Sequence, residues 1–163
     1  MADPHSAVVA ELEARGVDFT VMECDPEFAD TAAFCERYGI SPDESANTIL
    51  VVGKSDPRRY VACVVLATTR LDVNGAVRQR LGVKKASFAS ADETRDLTGM
   101  LIGGVTPIAL PDDIPIWVDA AVMTPASIVL GGGDRSTKLR MTPRALAGLP
   151  RVEVIEDLAK PAG

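Results

Sequence analysis

Histidine is almost absent: His5 is the only one in 163 residues. A Ser-His-Asp or Cys-His centre needs an imidazole held beside its nucleophile. A lone histidine in an N-terminal segment expected to fray does not supply one. The same scarcity argues against a histidine-rich metal site. Cys24, Cys35 and Cys63 are odd in number and form no Cys-x-x-Cys, which is the pattern of reduced thiols in a cytoplasm. Each reads as a small buried hydrophobe, so a thiol-dependent ester or peptide hydrolase is the weakest function in play. Aromatics are only 4% of the chain against 47% apolar residues, so the core must be aliphatic. The longest unbroken apolar run, Val61 to Ala67, is too short to cross a bilayer. The opening Met-Ala-Asp-Pro-His-Ser has no basic or apolar signal region, and the expectation is a cytoplasmic protein without membrane attachment.

The chain is long enough for one domain with a full hydrophobic core, and residues 1–163 read as that single domain. Its net charge of −6 argues against tight nucleic-acid binding through bulk electrostatics. The charge is unevenly spread. Residues 1–46 carry eleven Asp/Glu against Arg15 and Arg37, whereas residues 47–163 carry fifteen Lys/Arg against twelve Asp/Glu. A local basic face on the second part and a solvated mixed surface are both consistent with that balance.

Along the chain, Ser6 caps a helix bearing Val8, Val9 and Leu12 that stops near Gly16. Residues 17–21 alternate as a strand, and a second helix opens at Asp30 or Thr31 and ends at Gly39. Ser41-Pro42 starts a short helical turn. The β-rich runs 47–52 and 59–66 flank turn residues and predict a hairpin. Asp72 caps a helix over 73–81, residues 86–89 make a short strand, and Ser90 to Glu93 is a capping box for a helix ending at Gly99. Strands come next at 115–119, 127–130 and 138–141, then a short helix after Thr142-Pro143 and a closing strand at 152–155. Strands and helices mix without strict βαβ alternation, which predicts an α/β domain around a mixed, barrel-like sheet.

The segment with most chemical promise is Thr98 to Pro107, where Met100-Leu101-Ile102 runs into Gly103-Gly104-Val105-Thr106-Pro107. Two glycines allow a sharp bend with exposed amides, and Pro107 fixes its own φ and holds Thr106 extended, which stiffens the loop. A stiff loop with bare N–H groups can hold an oxyanion or a carbonyl oxygen; the plainer alternative is a turn. The triple glycine Gly131-Gly132-Gly133 is not a P-loop, since no Gly-Lys-Ser/Thr completes it. Nor is it a dinucleotide fingerprint, because Ser136 stands where the last glycine should be. It reads as a hairpin turn.

Taken together, Thr98-Gly99, Gly103 to Pro107, Ile114-Pro115, Val118-Asp119-Ala120 and Gly131 to Arg135 resemble, in order and spacing, the YbaK/EbsC-type aminoacyl-tRNA deacylases. These are relatives of the editing domain inserted in bacterial prolyl-tRNA synthetases. The resemblance covers about residues 17–157, and its most specific element is the Gly-x-x-x-Pro loop, Gly103 to Pro107. It implies a single domain with a mixed, largely antiparallel barrel-like sheet flanked by helices. It also implies hydrolysis, in trans, of the ester between a wrong amino acid and the 3′ end of a tRNA. By the same resemblance a synthetase is a candidate partner, and no metal, cofactor or protein nucleophile is needed. The loop Gly103, Gly104, Val105, Thr106 and Pro107 would hold the reacting carbonyl while the ribose hydroxyl helps activate water. Phe28, Thr48, Asp119 and Gly131, Gly132 and Gly133 are the candidate substrate contacts. Phe28 reads equally as core, Asp119 as a strand cap, and Thr106 as a residue bonding its own loop.

One departure stands out. Where the family has a lysine at the start of its first hairpin strand, this chain has Asn47, followed by Thr48-Ile49-Leu50. Asparagine brings hydrogen bonds but no charge. Losing a charge-assisted contact costs about 1.5–3 kcal/mol, or one to two decades in rate or binding. Lys54 lies an odd number of residues away on the same strand and so faces the other side, which leaves Lys138 or Arg140 on another strand. Asn47 therefore has three readings: a variant deacylase, a non-catalytic relative that binds aminoacyl-tRNA ends or a synthetase, or a neutral strand-end residue.

Overall fold

In the computed structural model, which describes residues 3–162, the apolar run at 61–67 has no polar face because its strand is covered on both sides. Met1, Ala2 and Gly163, the ends of the 1–163 domain span, lie outside the described residues. The elements are α1 (Pro4–Ala14), β1 (Thr20–Glu23), α2 (Thr31–Tyr38), β2 (Ala46–Gly53), β3 (Arg59–Leu66), β4 (Thr69–Leu71) and α3 (Arg78–Leu81). After these come β5 (Ala86–Phe88), α4 (Ala91–Thr98), β6 (Ile116–Asp119), β7 (Ile128–Gly131), β8 (Thr137–Met141), α5 (Pro143–Ala147), β9 (Val152–Ile155) and β10 (Ala159–Pro161).

A five-stranded sheet runs in the order β5-β2-β3-β6-β9. The β2–β3 hairpin is antiparallel, with Asn47 opposite Val65 and Leu50 opposite Ala62, whereas β6 lies parallel to both β3 and β9. Successive side chains of a strand point to opposite faces. Ala62, Val64, Ile116 and Val118 therefore enter one core with Val8 and Leu12 of α1, while Val61, Cys63, Val65 and Trp117 enter a second core with Val77 and Leu81. A strand buried on both faces shows no alternation, which accounts for the continuous apolar run. A second sheet, β1-β8-β7, is antiparallel, and β4 pairs with β10 as a small ribbon.

These are mixed sheets flanked by helices, but the barrel-like sheet expected from the sequence is not closed. The two larger sheets share one core, but among the described residues their ladders join at a single bridge, Ser45 to Val129. Beyond that bridge β2 and the β7–β8 pair run on unpaired with each other, and a cavity lies in the space between them. Other local expectations shift as well. Asp3 caps α1 and accepts from the amide of Ser6, so the carboxylate, not the serine, starts the helix. His5 is not frayed: its Nδ1 lies 2.7 Å from the Gly132 carbonyl and 3.0 Å from the Thr137 hydroxyl. The strand expected at 17–21 begins at Thr20, because the Val17 amide still bonds the Leu12 carbonyl at the end of α1. The capping box at Ser90 and Glu93 and the stop of α4 at left-handed Gly99 appear as expected.

Candidate active site

The Gly103 to Pro107 loop and the triple-glycine turn are far apart in sequence and adjacent in space, and the reason is steric. A Cβ on Gly104 would lie 2.4 Å from the Asp134 carbonyl oxygen, and one on Gly131 would lie 2.3 Å from the Val105 carbonyl oxygen. Main chain packs directly on main chain, which only glycine permits at such close approach. The Gly133 amide donates to the Gly104 carbonyl at 2.8 Å, and the Gly104 amide closes a turn on the Leu101 carbonyl at 2.9 Å. Arg135, one residue past the triple-glycine turn and Asp134, then clamps the assembly. Its guanidinium bonds the Ile102 carbonyl, the Asp30 carboxylate and the Pro26 carbonyl.

This packing leaves the amides of Gly103 and Val105 without a hydrogen-bond acceptor among the described residues, in two residues that line the cavity. Of the two glycine amides expected to be bare, that of Gly104 is used within the loop, and the spare donors stand at Gly103 and Val105. The cavity holds about 420 Å³. Its other walls are Asp30 and Thr31 at the start of α2, residues 46–50 of β2, Gly131 and Lys138, with Phe88 and Ile102 exposed at its rim. Asp30 and Thr31 are placed there by the short helical turn at 26–28, which delivers the chain into α2.

Asn47 and Thr48 both line this space. The Thr31 hydroxyl donates to the Asn47 side-chain oxygen, leaving the amide nitrogen of Asn47 to donate elsewhere. The Thr48 hydroxyl is buried and has no partner. Lys138, not Arg140, brings positive charge to the cavity. Its ammonium donates to the Ala29 carbonyl at 2.6 Å and to the Gly103 carbonyl at 2.8 Å, and burial lowers its pKa. Arg140 instead bonds Ser127 and pairs with Glu44.

The remaining expected site residues lie off the cavity. Asp119 is buried and accepts from the amides of Leu158 and Ala159, which pins the turn after β9; it does not line the cavity. Phe28 lies under the guanidinium of Arg37 and outside the cavity wall. Gly104, Thr106, Pro107, Gly132 and Gly133 support the loop from behind and do not reach the cavity, and the Thr106 hydroxyl is buried with no partner. All three cysteines are free and buried, and burial drives the Cys63 thiol far above its usual range. No three His, Cys, Asp or Glu among the described residues converge so as to hold a metal ion, and no described helix is long and apolar enough to cross a membrane.

Asp30, Thr31, Arg135 and above all Lys138 carry the site's polarity without having been firm candidates in the sequence. A lysine in an alternating strand reads as solvent-facing, and only the packing of Phe34 and Ala29 over β8 shows otherwise.

The chain is 27% identical over 146 residues to the uncharacterized protein YwhH of Bacillus subtilis, covering 90% of this chain and 89% of that one. It is 24% identical over 126 residues to EbsC of Enterococcus faecalis, a proposed Cys-tRNA(Pro)/Cys-tRNA(Cys) deacylase, covering 77% and 74%. A stretch of 105 residues is 36% identical to the proline–tRNA ligase of Bacillus licheniformis, covering 63% of this chain but only 17% of that enzyme. Among solved structures, hypothetical protein APE2540 superposes with a TM-score of 0.84 at 27% identity, covering 94% of this chain and 99% of that one. A proposed trans-editing enzyme for prolyl tRNA synthetase has the same fold, with a TM-score of 0.83 at 23% identity and 99% of both chains covered. The family model for the aminoacyl-tRNA editing domain matches residues 25–149, from just before the Asp30 wall to just past the end of α5. The chain therefore belongs to the aminoacyl-tRNA editing domain family.

Proposed function

We propose that this protein is a trans-acting deacylase that hydrolyses the ester between an amino acid and the 3′-terminal adenosine of a mischarged tRNA. The observation that carries this reading is the pair of unpartnered amides, Gly103 and Val105, at the wall of an open cavity. Donors fixed in advance stabilise the charge that grows on an ester carbonyl oxygen as water adds to its carbon. The loop is fixed by main-chain packing against Gly131 and Asp134 and by Arg135, so little reorganisation is needed when that charge appears. Water adds, the bond to the ribose oxygen breaks, and the proton from water ends on the ribose, giving a free amino acid and an intact tRNA end. The ribose hydroxyl next to the ester assists the water, and the chain's own task is to position and polarise. That strategy needs no histidine. The Thr48 hydroxyl, shielded from water and without a partner among the described residues, turns about χ1 into the cavity to bond the substrate. The similarity to a stretch of a proline–tRNA ligase supports a synthetase as the partner that supplies mischarged tRNA.

The test is hydrolysis of a panel of mischarged tRNAs under multiple-turnover conditions. Release of amino acid above the buffer rate on at least one is expected. Hydrolysis of none defeats the reading, and binding without turnover would make the protein a non-catalytic relative.

A further inference from the structure

Among the described residues Lys138 is the only buried lysine or arginine. No carboxylate of the described residues lies within salt-bridge distance of its ammonium; Asp30, in the same wall, is engaged by Arg135. Two of the three N–H groups bond the Ala29 and Gly103 carbonyls, and the Phe34 ring centroid is 5.3 Å away. The third N–H has no acceptor among the described residues. A buried charge without a direct counter-ion destabilises a fold, so its retention here calls for a reason beyond packing. The place where this ammonium is tolerated is the wall of the cavity that also holds Gly103, Val105 and Asn47. The cavity is therefore open to an acceptor for the remaining N–H.

We infer that Lys138 is the cation of this site, directing its third N–H at the carbonyl oxygen of the scissile ester while its other two hold the Ala29 and Gly103 walls apart at a fixed width. This rests on the deacylase reading. No proton is consumed: the hydrogen bond strengthens as water adds and relaxes when the ribose oxygen leaves. Asn47 needs no charge under this arrangement, because the charge arrives from β8 and the Asn47 oxygen is already taken by Thr31.

The variant Lys138→Met tests this. A loss of about 100-fold or more in kcat is expected, as for removal of an oxyanion donor, with KM raised up to about tenfold, both measured well below the variant's Tm because the Ala29 and Gly103 carbonyls lose their donor. The pH profile separates charge from structure. Burial and Arg135 lower the pKa of Lys138 while Cys24, Asp30 and Cys35 oppose the shift, and the net direction is below the ordinary 10.5. After subtraction of spontaneous ester hydrolysis, wild-type kcat should therefore fall on an alkaline limb below that value as the ammonium deprotonates. The limb should be absent in Lys138→Met. If the Met variant does not fold, Lys138→Arg carries the test, since arginine keeps its charge: the limb must move upward or vanish. Wild-type-like kcat in Lys138→Met, or an unmoved limb in the variant measured, overturns the inference. Should wild-type protein cleave no mischarged tRNA, the deacylase reading fails by itself. Lys138 is then judged by binding of a non-hydrolysable 3′-aminoacylamino-adenosine, where a tenfold weaker affinity of Lys138→Met supports the inference and an equal affinity refutes it.

Discussion

Replacing Gly104 by alanine tests the steric account of the site. Gly104 is not at positive φ, so an added methyl meets no dihedral penalty and acts through contact alone. The new Cβ would lie 2.4 Å from the Asp134 oxygen and 2.5 Å from its carbonyl carbon, where ordinary contact begins near 3.4 Å. The obstacle is main chain and cannot rotate away, so the two backbones must part by about 1 Å, the gap between those two distances. That displacement breaks the 2.8 Å bond from the Gly133 amide to the Gly104 carbonyl, worth about 1 kcal/mol. Overpacking strain adds about 1–3 kcal/mol. The total, about 2–4 kcal/mol, corresponds to a fall in Tm of roughly 5–15 °C for a domain of this size. Because the Val105 amide moves with the loop, kcat should fall about 100-fold. Gly148→Ala is the control: its Cβ would find nothing closer than 3.6 Å, and stability should change by less than about 0.5 kcal/mol. Thermal unfolding and deacylation of both variants decide the matter. A Gly104→Ala protein with unchanged Tm and turnover would refute the claim that backbone contact between the two glycine segments builds the loop.

Two further expectations separate site from scaffold. Thr48 and Thr106 both bury a hydroxyl without a partner, but only Thr48 lines the cavity. Thr106→Val removes an unsatisfied group and should be neutral or stabilising by up to about 1 kcal/mol with full activity, whereas Thr48→Val should raise KM about tenfold, as loss of one substrate hydrogen bond would. Equal behaviour of the two in steady-state kinetics would remove Thr48 from the site. Asp119→Ala strands the amides of Leu158 and Ala159 and should cost about 2–3 kcal/mol in denaturant unfolding. Its kcat/KM, measured well below its Tm, should match wild type; a selective kinetic loss would return Asp119 to the substrate.

Much of the local structure was legible because it depends on neighbours in sequence. The stop of α2 at Gly39, the capping box of α4 and the β2–β3 hairpin arise from residue types a few positions apart. The ribbon of β4 and β10 was not legible: three residues each, pairing Thr69 with Pro161, carry no periodic signal. Parallel pairing of β6 with β3 and β9 was likewise invisible, since nothing local distinguishes it from an antiparallel neighbour.

For the site, the sequence by itself determined the loop, the two glycine segments and, through their spacing, the family. Glycine at a close backbone contact has no substitute, so the requirement is written in residue type. Charge and exposure are not written that way. Whether Lys138 meets water or the wall of a cavity, whether Asp119 touches a substrate or pins a turn, and whether the sheet closes or parts beside Ser45 depend on what long-range packing places beside each residue. Only the tertiary structure decided these, because desolvation is a property of the surroundings and not of the side chain.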